Sequence, residues 1–323
     1  MTRAAIGLAL FAGMLIAAAC ATTPGGTARP EPVPRARGAI VRVQVKDGNA
    51  LVIREVPLEA YVAGSALSEV HPDAADGAAG AMFEVQAVLA RSYALTNLGR
   101  HAKDGFDFCA TTHCQLYQPE RWATSRWAGT ARAAAQQTAG RILWFAGAPA
   151  RAVFHADCGG RTSAAAAVWG GVAPAYLAGR TDDGPAACAH AAWTYEVRPE
   201  ALRAALDGDP RTAVGATLDA VEVAGRDAAG RAEQIVLRGA RTFVVRGEVF
   251  RDAVTRALGA KSLRSTRFSI TRTGGAFVFS GTGFGHGVGL CQAGALARLK
   301  AGATPDEVLK YYFPGAEVHT AKH

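Results

Sequence analysis

The segment richest in potential ligands is Cys109-Ala110-Thr111-Thr112-His113-Cys114, with His101 eight residues upstream. Two thiols and two imidazoles within 14 residues are a zinc donor set of Cys2His2 composition. The spacing is not that of the common finger, and in an oxidising compartment Cys109 and Cys114 could instead close a disulfide. Either role is structural, since four protein ligands leave no open position for water. A second segment, Gly281-Thr282-Gly283-Phe284-Gly285-His286-Gly287-Val288-Gly289, puts glycine at every second position around one imidazole. Such spacing lets backbone approach a ligand closely and permits positive φ. It lacks both the glycine spacing and the Gly-Lys-Ser/Thr ending of nucleotide loops.

One carboxylate stands out. Glu69 ends the apolar-rich stretch Ala66-Leu67-Ser68-Glu69-Val70, just before a break at Pro72. A side chain projecting there into an apolar cleft would be kept protonated near neutrality by desolvation, as a general acid requires. Asp73, Asp76 and Glu84 are its rivals. Of the remaining cysteines, Cys158 and Cys188 are natural disulfide partners, whose loop of about 30 residues would contribute roughly 3–4 kcal/mol. Cys291, among glycines and alanines, reads as a small buried thiol. No Gly-x-Ser-x-Gly elbow is present, and no carboxylate-rich motif suggests calcium or magnesium.

Elements to position these groups are legible. Ile40–Val45 and Leu51–Ile53 predict strands paired across the Lys46-Asp47-Gly48-Asn49 turn. Pro57 opens a helix over Leu58–Ser68, and a second helix runs about Ala79–Leu98. Arg141–Ala146 and Arg151–Ala156 read as a hairpin around Gly147. Further strands are expected at Trp193–Val197, Ala220–Ala224, Gln234–Leu237, Thr242–Arg246, Arg267–Thr271 and Ala276–Ser280. Helices fit Pro199–Leu206, Glu248–Leu258, Gln292–Lys300 and Pro305–Tyr312, the last with a Thr304 to Glu307 capping box. Strands and helices do not alternate strictly, so the class is α+β: a mixed sheet with packed helices.

The N-terminus has one cation, Arg3, an apolar run from Ala4 to Ala19, and then Cys20. That is the layout of a secretory signal. Ile16-Ala17-Ala18-Ala19-Cys20 resembles a bacterial lipoprotein signal, with Cys20 as the lipidated residue; a plain signal with an incidental cysteine is the alternative. Residues 21–38 are Pro/Gly/Arg-rich and read as a linker, leaving 39–323 as the folded domain. The chain would thus be exported and membrane-anchored, facing the cell wall in a periplasm. Half of the 323 residues are apolar, which excludes a disordered chain, and six cysteines are too few for a disulfide-built miniprotein. The net charge of +8 suits an anionic partner, but export and the absence of a clustered basic helix argue against nucleic acid.

Four ordered patches carry a family resemblance: Tyr61-Val62-Ala63-Gly64 through Ser68-Glu69-Val70; Gln86-Ala87-Val88-Leu89-Ala90-Arg91-Ser92-Tyr93-Ala94; Asp107-Phe108-Cys109 through Tyr117; and Gly285-His286-Gly287-Val288-Gly289-Leu290-Cys291-Gln292-Ala293-Gly294-Ala295. Together they resemble the stage II sporulation protein D family (SpoIID/LytB domain), whose studied enzymes are peptidoglycan lytic transglycosylases. His71 before Pro72 departs from the family pattern. The resemblance implies a SpoIID-like fold in one or two lobes around a glycan cleft. It implies Glu69 as the catalytic residue, cleaving the bond between N-acetylmuramic acid and N-acetylglucosamine to leave 1,6-anhydro ends. Gln86, Arg91, Tyr93, His286 and Gln292 are then expected at the substrate, with a structural salt link the equal alternative for Arg91. Zinc at His101, Cys109, His113 and Cys114 would be structural, with no cofactor needed for the chemistry. The expected partners are glycan strands and a membrane reached through the lipid anchor. The competing reading is a non-catalytic wall-binding protein that enhances a cell-wall amidase.

Overall fold

The computed structural model describes residues 38–72, 77–183 and 192–320. The expected signal, Cys20, most of the linker, and the residues Asp73, Asp76 and Cys188 lie outside the described residues. Among the described residues, no helix is long and apolar enough to cross a membrane.

The chain opens with β1 (Ile40–Asp47) and β2 (Ala50–Pro57), the expected hairpin, antiparallel and longer than the sequence suggests. Then follow α1 (Leu58–Glu69) and α2 (Ala79–Thr96). Strand β3 (Phe108–Cys109) pairs in parallel with β1, and so carries the first cysteine of the metal set onto the sheet edge. After α3 (Arg121–Thr124) and α4 (Ala128–Gln137) come β4 (Arg141–Phe145), β5 (Ala148–Pro149), β6 (Phe154–His155) and α5 (Ala165–Trp169). The segment from 192 to 282 holds β7 (Ala192–Val197), α6 (Pro199–Asp207), β8 (Leu218–Arg226), β9 (Ala232–Gly239), β10 (Thr242–Arg246), α7 (Gly247–Leu258), β11 (Phe268–Thr273) and β12 (Ala276–Thr282). Finally β13 (Leu290–Cys291), α8 (Gln292–Lys300), α9 (Pro305–Tyr312) and β14 (Glu317–Thr320) close the chain. Thr304 and Glu307 form the expected capping box. The class is α+β, with the described strands divided among five small sheets.

The expected hairpin around Gly147 is corrected. After the turn the chain pairs with β4 only through β5 and Ala150, whose N–H donates to the Leu143 carbonyl at 2.8 Å, and β14 lies on the other edge of β4. Strand β6 instead lies parallel to β13. Gly289 makes that approach possible: a Cβ there would sit 2.1 Å from the Val153 carbonyl oxygen, and its φ is +72°.

Helix α2 is the hub. Of its 18 residues, 13 are buried, so no face is left for solvent and its polar side chains must find partners inside. Met82, Phe83, Val85, Val88 and Leu89 pack into one core with α8 and α9, while Ala87, Ala90, Tyr93 and Ala94 pack into another with β1 and Phe108. The 192–282 segment has a separate core built on Leu202, Ile235, Phe250, Val254, Phe268 and Phe279. Where this segment begins and ends, Trp193 Nε1–H donates to the Gly283 carbonyl at 3.1 Å.

Candidate active site at the end of helix α1

Glu69 is the last residue of α1, and the helix end is fastened to the loop at 115–118. Gly64 permits the close approach, since a Cβ there would lie 2.5 Å from the Tyr117 ring. Ser68 Oγ donates to the Gly64 carbonyl at 2.7 Å and accepts from Gln118 N–H at 2.9 Å. One turn lower in the loop, Leu116 N–H donates to Glu69 Oε1 at 2.8 Å. Burial pushes the Glu69 carboxyl up to about 7, with the Leu116 hydrogen bond opposing it only in part. Glu69 therefore straddles neutrality with one oxygen fixed and no carboxylate partner among the described residues, a state suited to both giving and receiving a proton. Its rival Glu84 is half-buried on α2. Beyond the helix, Arg121 hydrogen-bonds His71 Nε2, and Trp127 Nε1–H donates to the Pro72 carbonyl at 3.2 Å. Burial and then Arg121 hold His71 below its ordinary value.

The loop that reaches Glu69 grows directly out of the cysteine segment. His101, Cys109, His113 and Cys114 place their ligand atoms within 4.8 Å of one another, and both cysteines are free thiols. Cys114 Sγ lies 3.4 Å from His101 Nε2, and His113 Nδ1 faces Cys109 Sγ at 3.6 Å and Cys114 Sγ at 3.7 Å. Asp104 stands 3.4 Å from the other nitrogen of His101, the carboxylate placement that orients a metal-bound imidazole. Two sulfurs and two nitrogens converging this closely fit a tetrahedral thiophilic ion.

The residues expected at the substrate separate into two groups. Gln292, at the start of α8, reaches the site: its Nε2–H donates to Gln86 Oε1 at 3.1 Å and lies 3.4 Å from the Glu69 carbonyl oxygen. Gln86 is fully buried behind it, so Gln86 positions Gln292 and does not line a cleft. Arg91 is likewise corrected, being fully buried and committed elsewhere. Its Nε donates to Glu59 Oε1 at 2.8 Å and its Nη2 to Glu59 Oε2 at 2.6 Å, with further bonds to the Arg141 and Ala135 carbonyls. The salt-link alternative is the one realised, with Glu59 as partner. Tyr93 is buried against Phe108, its ring centroid 6.2 Å away, and belongs to the core beneath the cysteine cluster.

His286 is held by protein on its own loop. Val288 N–H donates to its Nδ1 at 3.0 Å, and its ring lies 5.1 Å from Trp169 and 5.6 Å from His155. Burial first, then Arg251 and Arg231, lowers it to about 3, so it is a neutral imidazole. The glycines around it serve packing. Gly283, Gly285, Gly287 and Gly289 all have positive φ, and a Cβ on any of them would run into Asp157, His155, Arg231 or Val153. The alternation therefore folds the loop onto the chain itself, which corrects the expectation that it opens the backbone to sugar.

Sequence reasoning missed Leu116, Gln118 and Arg121, which fix Glu69, Ser68 and His71 respectively. Proximity of Gln115–Gln118 to Cys114 was the available signal. It also missed Glu59, whose carboxylate in the first turn of α1 answers Arg91.

These features define an α+β protein whose half-buried helix-end carboxyl is braced by a Cys2His2 loop. Residues 46–145 match the SpoIID family model, described as stage II sporulation protein. Residues 186–289 match a domain of unknown function, DUF8618, which corresponds to the segment with the separate core. An uncharacterized protein of Brachyspira hyodysenteriae is 27% identical over 288 residues, covering 87% of this chain and 71% of that protein. The stage II sporulation protein D of Bacillus subtilis is 36% identical over 81 residues, 25% of this chain and 23% of that protein. The amidase enhancer of Bacillus subtilis is 40% identical over 58 residues, 18% of this chain and 8% of that protein. The match thus spans less than a third of either Bacillus protein.

Proposed function

We propose that the chain is a peptidoglycan lytic transglycosylase with Glu69 as its acid and base. The observation that carries this reading is a carboxyl raised to about 7 by burial, with one oxygen on Leu116 N–H and no carboxylate partner among the described residues. Hydrolytic glycosidases use two carboxylates, whereas intramolecular closure can proceed with one. Glu69 gives its proton to the glycosidic oxygen, and the bond from that oxygen to C1 of the muramic residue breaks. The C6 hydroxyl oxygen then bonds to C1 and its proton passes to the Glu69 carboxylate, which restores the acid without water. Zinc at His101, Cys109, His113 and Cys114 would supply a rigid base for the 115–118 loop and take no part in proton transfer. In this reading the protein is exported and tethered through Cys20, next to its wall substrate.

A second reading, enhancement of a cell-wall amidase without catalysis, draws on the 40% identical stretch shared with the Bacillus amidase enhancer. Digestion of purified glycan strands by wild type and Glu69→Gln, with mass spectrometry of the products, separates the two. Anhydro ends from wild type alone support the transglycosylase; binding to sacculi with no products, and a faster amidase on addition, supports the enhancer.

A further inference from the structure

A second group of ligand-type side chains lies outside the site just described. Strands β6 and β13 run parallel with His155 opposite Cys291, and Cys158 follows three residues after His155. A ring nitrogen of His155 and the sulfurs of Cys158 and Cys291 lie within 4.8 Å of one another. All three residues are buried, with His155 4% exposed and both cysteines at 0%. His155 Nδ1 faces the Val288 carbonyl at 3.1 Å, while its Nε2 is buried with no hydrogen-bond partner. A carbonyl on one nitrogen and nothing on the other is the arrangement of a ligating imidazole before its metal.

The sulfurs are prepared in the same sense. Cys291 Sγ accepts from Cys158 N–H at 3.2 Å and from Gly294 N–H at 3.4 Å, and Cys158 Sγ accepts from Gly160 N–H at 3.2 Å. Three backbone N–H groups thus point at the two sulfurs, the atoms through which cysteine binds metal. Asp182 brings Oδ2 to 3.4 Å from Cys158 Sγ, where Tyr312 O–H, 2.7 Å away, holds it in place. Asp182, which also accepts from Arg298 at 3.3 Å, stands beside a set of one nitrogen and two sulfurs.

We propose that His155, Cys158 and Cys291 bind a thiophilic divalent cation of the zinc class. The ion joins the 154–163 segment to the glycine loop and to the first turn of α8, directly beside Gln292. It is separate from the Cys109–Cys114 cluster and does not depend on the proposed reaction.

The test is metal content of the full chain, purified without chelator and measured by inductively coupled plasma mass spectrometry. About two equivalents of zinc are expected for wild type, and about one for Cys291→Ser or His155→Ala. Cobalt alone, added to metal-free wild type, should give thiolate charge-transfer absorption for two sites. Cys158 and Cys291 should resist alkylation until metal is stripped, a readout needing no variant. About one equivalent in wild type, or a disulfide from Cys158 to Cys291 or to Cys188 in the purified protein, overturns the proposal.

Discussion

The carboxylate of Glu69 is held at 2.8 Å by the backbone N–H of Leu116, which lies two residues beyond the last cysteine of the Cys2His2 cluster. The distance between that loop and the end of α1 therefore depends on how firmly the cluster is closed. Stripping metal from the full chain with chelator, or the Cys109→Ser/Cys114→Ser pair, should lower glycan cleavage at least tenfold. Unchanged cleavage after verified loss of the ion would show that the loop holds Glu69 unaided.

Because burial raises Glu69 to about 7, the proton-donating form declines as pH rises through neutrality. In the proposed reaction, kcat should be level below about pH 6 and fall roughly tenfold per unit well above pH 7. Glu69→Gln should abolish product at every pH. A rate that climbs from pH 6 to pH 9 in wild type would exclude Glu69 as the acid.

The same burial has a consequence for stability. A carboxyl raised from 4.5 to about 7 on folding gives stability that is fully present below pH 4.5 and lost as pH rises through 7. The total is at most about 3 kcal/mol. Glu69→Gln should therefore match wild type in urea denaturation at pH 4.5 and exceed it at pH 8.5. Parallel curves at the two pH values would place the carboxyl in water.

Arg91 lies wholly inside the protein on a bidentate pair with Glu59 and two carbonyls. Arg91→Met leaves those acceptors without a donor and should cost about 2–4 kcal/mol, discounted because the Glu59 side chain is 33% exposed. Arg91→Lys should recover only part of this, since an ammonium cannot reproduce the two-pronged fork. A thermal melt on each variant decides; loss of glycan binding with an unchanged melt would return Arg91 to the substrate.

Gly289→Ala tests the loop. The new methyl would meet the Val153 carbonyl oxygen at 2.1 Å on a backbone already at φ +72°. A loss of several kcal/mol in denaturant unfolding is expected, and a near-neutral change would mean the loop can move away from β6.

Much of this was legible in the residues. The hairpin of β1 and β2, the two helices that follow, and every strand expected between Trp193 and Ser280 are present, because periodicity and turn residues act locally. The convergence of His101, Cys109, His113 and Cys114 was equally readable, since all four lie in one short stretch. What failed were inferences about which way a residue faces. Arg91 and Gln86 are polar residues on a helix buried on all sides, and no local pattern reveals that a polar side chain points inward to Glu59 or Gln292. The glycine loop misled for a similar reason: alternation permits close approach, but sequence does not tell whether ligand or protein approaches. The pairing of β6 with β13 joins positions 154 and 290, too far apart for any short-range signal.

The single bond from Trp193 to the Gly283 carbonyl has a consequence for how such a chain can be assembled over evolution. Together with the antiparallel pairing that sets Ala192 opposite Thr282, it brings the entry and exit of the 192–282 segment to one point. A stretch of some 90 residues with its own interior can then be gained, lost or exchanged there while the path of the surrounding chain is kept. The site at Glu69 and the segment inserted after it are in that sense separately inheritable.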